Sequence, residues 1–128
     1  MIKIPQEVKF AIEKTYPICI ATANNEGIPN IIYVGFLKCL NDTTIVIADN
    51  KFAKTKNNIL ANSNISIVVL DPDTRKSYQL KGKTEYIENG EKYQYVVDWV
   101  QNKRADIYPK GAVYVTITEI FSGDKKIA

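Results

Sequence analysis

Ile45-Val-Ile-Ala-Asp-Asn-Lys-Phe-Ala-Lys-Thr-Lys-Asn-Asn-Ile59 changes character part-way along. Its first residues are β-branched and apolar, as in a buried strand. Asp49-Asn50-Lys51-Phe52 then reads as a polar turn, and a helix is expected from about Ala53 to Ala61, with Ile59 and Leu60 as its buried face. Backbone N–H groups at a helix start have no partner in the helix and attract anions, helped by the helix dipole. Lys54 and Thr55 beside those amides would complete a phosphate cradle. The same spacing also fits a plain solvated face carrying Lys51, Lys54 and Lys56. No glycine-rich phosphate loop or dinucleotide fingerprint occurs elsewhere in the chain.

Working outward, the surrounding chain reads mostly as strands. A short helix is expected over Pro5–Thr15, with Val8, Ala11 and Ile12 on one face. Tyr16–Ala23 is a strand, and Asn24-Asn25-Glu26-Gly27 a tight hairpin turn. A long second strand runs from Ile28 to Leu40 with Gly35 near its middle, and a third from Thr44 to Ala48. Ile65–Leu70 and Ser77–Ile87 form the next pair around Asp71-Pro72-Asp73-Thr74. Glu91–Lys103 is a helix whose apolar face is Tyr95, Val96, Trp99 and Val100. Ala112–Thr118 is the last strand, and Glu119–Ala128 a peripheral tail. Hairpin connections dominate. The expected fold is mainly β: a six-stranded antiparallel split barrel with two to three peripheral helices, as one domain over residues 1–128.

Composition narrows the chemistry. The chain has 128 residues, 45% apolar and 24% charged, with a net charge of +3. No apolar run approaches the roughly 20 residues of a membrane span. With no long apolar leader stretch at the start, the expected compartment is the cytoplasm. Cys19 and Cys39 sit in apolar strand runs and read as free thiols. There is no histidine. That removes Ser-His-Asp and Cys-His catalysis, the commonest general base and imidazole metal sites. No metal site is expected. Chemistry on this chain would have to come from a bound cofactor.

Ala21-Thr-Ala-Asn-Asn-Glu-Gly-Ile-Pro-Asn30, then Tyr33-Val-Gly-Phe36, Ala48-Asp-Asn50 and Lys54-Thr55, together resemble the pyridoxamine 5′-phosphate oxidase-like FMN-binding split barrels. The similarity is strongest over Tyr16 to about Leu70, and it is nearest the small single-domain FMN-binding proteins of that superfamily. The resemblance implies FMN as cofactor and a homodimer clasping each flavin between subunits. It implies that Tyr33, Val34 and Gly35 line the isoalloxazine ring, with Gly35 open to a second reading as a barrel-corner kink. Ala48, Asp49 and Asn50 would lie near the ring and ribityl chain, where Asp49 is either a ribityl partner or a plain turn aspartate. Lys54 and Thr55 would hold the phosphate, with Asn58 assisting one turn on. In Ile107-Tyr-Pro-Lys110, Tyr108 would reach a partner's flavin edge or be an ordinary loop aromatic. Lys110 would place a charge near the ring.

The chain also departs from the oxidase branch. The enzyme's Ser-Arg-Lys run is replaced by Ala53-Lys54-Thr55, and the C-terminal Arg and His that grip the vitamin phosphate have no match in Gly123-Asp-Lys-Lys-Ile-Ala128. True pyridoxamine phosphate oxidase activity is therefore not expected. The expected function is that of an FMN-dependent oxidoreductase or electron-transfer protein with a small-molecule donor or acceptor; turnover itself is not assigned. Two alternatives remain from other directions: a related barrel binding the deazaflavin F420, and a non-enzymatic barrel stacking single-stranded nucleic acid on its eight tyrosines.

Overall fold

The computed structural model describes residues 2–128, in the order α1 (Gln6–Lys14), β1 (Ile18–Ala23), β2 (Pro29–Val34), β3 (Leu37–Cys39), β4 (Thr44–Asp49), α2 (Lys54–Ala61), β5 (Asn64–Leu70), β6 (Ser77–Ile87), α3 (Glu91–Lys103), β7 (Gly111–Ser122) and β8 (Lys125–Lys126). All strand pairings are antiparallel. The hydrogen-bonded order is β2-β1-β5-β6-β7-β4-β3, with β8 added beside β7. The two end strands of that order, β2 and β3, are consecutive in the chain. Joining them at Gly35–Phe36 curls the sheet into the expected split barrel.

The strand count is eight rather than six, for two physical reasons. The expected strand Ile28–Leu40 breaks at Gly35–Phe36, because its halves pair with different neighbours: Val34 faces Ile18 on β1, whereas Leu37 faces Ile47 on β4. An apolar run shows burial but not a change of partner. Gly35 lies against Tyr16, whose phenol oxygen would sit 3.2 Å from a Cβ built there. The missing side chain makes room for Tyr16 at the corner. At the C-terminal end, β7 continues through Glu119 to Ser122 and turns back as β8, so the supposedly peripheral tail is part of the sheet. Ile120 within it is fully buried.

The barrel interior is filled by Ile20, Ile45, Ile47, Ile67, Leu80 and Ile117, with Val8, Ala11 and Ile12 of α1 sealing one end. A second, smaller core lies outside the barrel wall, where Val96 and Val100 of α3 cover Val46, Ala48, Ala112 and Tyr114. This is why β4 and β7 are apolar on both faces. Within α3 the buried residues are Val96, Val97 and Val100; Tyr95 is exposed and Trp99 half-buried, packing edge-on to Phe36. In α2, Ile59 is buried as expected, but Leu60 points outward, and Thr55 and Asn58 take the inner face instead. Both cysteines are free thiols. Among the described residues no helix is long and apolar enough to cross a membrane.

Candidate functional site

The ladder is interrupted where the end of β2 approaches the end of β4, and a cleft of ≈ 290 Å³ opens there. Ile32, Tyr33, Val34 and Gly35 form one wall, and Ala48, Asn50, Lys51 and Phe52 the other. Five of the residues singled out from sequence, Tyr33, Val34, Gly35, Ala48 and Asn50, therefore meet in one place. Tyr33 is 72% exposed and stands at the rim. Asn50 Oδ1 is buried and has no hydrogen-bond partner. A buried acceptor left open costs free energy unless something supplies a donor.

The start of α2 lies next in the chain. Its cap residue, Ala53, makes no side-chain cap, and the first turn carries no acidic residue. The first N–H groups of α2 are thus free of side-chain acceptors, at the positive end of the helix dipole. Lys51 and Lys54 flank them, both exposed. Among the described residues neither pairs with a carboxylate.

Thr55 and Asn58 hold α2 to the barrel rather than standing at the surface. Thr55 is 2% exposed, and its Oγ1 accepts from Asn30 Nδ2 at 3.0 Å. Asn58 Nδ2 donates to Thr22 Oγ1 at 3.1 Å. Both side chains thus anchor the helix to the barrel, while the Thr55 hydroxyl, an acceptor in its bond to Asn30, keeps its own proton to donate.

For Asp49 the sequence leaves two readings open, and the structure has the features of the turn aspartate. Its side chain is fully buried, and its carboxylate accepts from Phe52 N at 2.7 Å and from the Tyr86 hydroxyl, so both oxygens are engaged within the chain. Tyr86 reaches it by crossing Gly111, where any Cβ would collide with the phenol. Burial first, and then the bond to Asp49, push the Tyr86 phenol far above its ordinary value, so it stays protonated and donates. Lys110 closes the arrangement: its backbone N–H donates to Asp49 O at 2.7 Å and its Nζ to Phe52 O at 2.7 Å, with the Asp49 carboxylate 3.9 Å away. Lys110 thus braces the turn before α2 instead of lining the cleft. Tyr108 projects from the loop before β7, 64% exposed and away from the cleft of its own chain.

Sequence reasoning missed Ile32, Lys51 and Phe52 as cleft walls, although the last two lie within the stretch that marked the site. It also missed Asn30 and Tyr86. Nothing local to Tyr86 signals a bond to a residue 37 positions earlier.

The chain that forms this cleft is similar, over most of its length, to known proteins. Residues 4–122 fit the family model described as pyridoxamine 5′-phosphate oxidase. The chain belongs to that family. It is 32% identical over 124 residues to an uncharacterized protein of Methanocaldococcus jannaschii, covering 95% of this chain and 82% of that one. The structure is similar to HupZ of Group A Streptococcus, with a TM-score of 0.84, 25% identity and 98% of both chains covered. It also shares its fold with an FMN-binding protein from Syntrophomonas wolfei, with a TM-score of 0.76 at 17% identity, over 89% of this chain and 81% of that one.

Proposed function

We propose that this member of the family is an FMN-binding flavoprotein, an oxidoreductase or electron-transfer protein that works as a homodimer with each flavin held at the subunit interface. The observation that carries the reading is the seam cleft. It joins a largely apolar cleft to an unpartnered buried acceptor and, next in sequence, to a helix start free of acidic side chains. Those are the needs of a ring with N–H donors that ends in a phosphate. Tyr33, Val34, Gly35 and Ala48 would hold the ring, Asn50 Oδ1 would accept from one of its N–H groups, and Lys54 with the first amides of α2 would hold the phosphate. Once bound, the flavin supplies hydride or electron transfer, and the chain needs no acid or base of its own. The FMN-binding relative from Syntrophomonas wolfei supports the same cofactor.

The homodimer rests on the outer face of β2, β1 and β5. Ile31, Tyr33, Val68 and Leu70 are exposed there, and Tyr33, Cys19 and Val68 lie side by side across the three strands. A stable dimer of this kind would bury on the order of 2,000 Å². The cytoplasm is the proposed compartment, in keeping with two unpaired thiols.

The absorption spectrum and the mass of any compound that co-purifies test the cofactor. A flavin spectrum with the mass of FMN is the expected result. The mass of F420 would keep the cleft and change the cofactor. A colourless protein that leaves FMN fluorescence unquenched on titration would remove the proposal. Haem is disfavoured by the absence of any histidine to serve as an axial ligand.

A further inference from the structure

Tyr86 meets the turn before α2 and the first turn of the helix itself. Its hydroxyl bonds the fully buried Asp49, which in turn fixes the Phe52 amide. Its ring lies under Lys56 of the first helical turn, with Nζ 5.1 Å from the ring centroid, and Lys56 is drawn further by Glu88 at 3.5 Å. Lys110 pulls on the same turn from the far side through Phe52 O. Gly111 leaves the space through which the phenol passes. Of these groups Phe52 alone lines the cleft; Tyr86, Asp49, Lys56, Glu88, Lys110 and Gly111 surround the turn that leads into the helix start and lie outside the cleft lining.

We propose that Tyr86, acting through Asp49 and supported by Lys110, is a positioning residue that sets how strongly this protein prefers a phosphorylated flavin over the same ring without its phosphate. The inference rests on the flavin reading above and goes beyond it, because it assigns a selectivity to residues that touch no part of the ligand. Backbone donors recognise an anion well only when they are already aimed. A turn that has to be ordered on binding gives that advantage back as conformational entropy. Loosening the turn should therefore weaken the phosphate end most, while the ring, held mainly by β2 and Ala48 and only in part by the turn residues Asn50 and Phe52, loses much less.

The test compares FMN with riboflavin on three proteins: the wild type, Tyr86→Phe and Lys110→Met. Tyr86→Phe keeps the ring under Lys56 and removes only the bond to Asp49. Lys110→Met cuts the brace at a half-exposed side chain and leaves the buried pair intact, so it stays informative if Tyr86→Phe folds poorly. Quenching of flavin fluorescence gives both affinities, and the melting temperature is measured alongside. The expected result is a wild type that favours FMN and variants that lose about tenfold in FMN affinity, one charge-assisted bond's worth, while riboflavin affinity falls by much less. A purely structural role would lower both affinities together or shift only the melting temperature; either result overturns the proposal. A wild type that binds both flavins equally well would remove the phosphate selectivity while leaving flavin binding standing. A wild type that binds neither would end the flavin reading and this inference with it.

Discussion

The outer surface of the barrel is treated in two ways. Over β4 and β7 it is roofed by α3, so Val46, Ala48, Ala112 and Tyr114 form a dry second core beneath Val96 and Val100. Over β2, β1 and β5 it is bare, and Ile31, Tyr33, Val68 and Leu70 face outward. Both surfaces are built from apolar strand residues. The difference is that one carries its cover in the same chain. An apolar face without a cover marks a place for another molecule to sit, and the candidate cleft opens beside that uncovered side, with Tyr33 belonging to both.

The comparison can be broken most severely on the roofed side. Tyr114→Ala would empty the second core and free the Lys92 carbonyl that the phenol holds at 2.8 Å. A loss of about 3–5 kcal/mol in unfolding free energy is expected by denaturant titration, the cost of removing a large buried aromatic. A loss below about 1 kcal/mol would mean that the roof packs loosely. On the bare side the outcome should be the reverse. Val68→Lys is expected to change the stability of the folded monomer by no more than about 0.5 kcal/mol, because its side chain meets solvent in the single chain. Sedimentation should nevertheless show the proposed dimer lost, and a dimer that survives would move the interface elsewhere.

A third measurement sharpens the link between the bare side and the cleft. Lys54→Ala should weaken FMN binding by roughly tenfold, read by fluorescence titration. Wild-type affinity would place the phosphate away from α2. The smallest effect concerns pH. The Tyr86 phenol has its folded-state value raised by burial and by Asp49 above the ordinary 10.0. Its contribution to stability is therefore complete below about pH 10 and declines as pH rises beyond that, where the unfolded chain ionises first. The gap in melting temperature between the wild type and Tyr86→Phe should accordingly narrow above pH 10; a constant gap would contradict the bond to Asp49.

Much of this arrangement is legible in the chain itself. Ser77–Ile87 and Glu91–Lys103 read correctly because Asn and Gly residues punctuate them and their periodicity is unbroken. The strand–turn–helix around Asp49 reads correctly for the same reason, down to a helix start at Lys54 instead of Ala53. Periodicity fails where a pairing partner changes inside one apolar run, as at Gly35. It fails again at Ile120, whose neighbours Glu119 and Ser122 look like a solvated tail although β6 and β8 hold that segment in the sheet. Tyr33, Val34, Gly35, Ala48 and Asn50 were visible as candidates because they cluster in two short stretches. Residue type alone does not say whether a polar side chain such as Asp49 or Thr55 serves a ligand or the fold. That depends on contacts with Tyr86 and Asn30, 37 and 25 positions away.

The corner at Gly35–Phe36 has one more effect. Because the strands at the two ends of the sheet are tied to each other by two residues of backbone, the barrel cannot unroll there, yet few ladder bonds run along the rest of that join. A flat guest such as the proposed flavin would enter between the edges without a rung being broken, and would leave again at the same small cost. The protein is fastened like a book at its spine, and its pages open on the side where the guest is read.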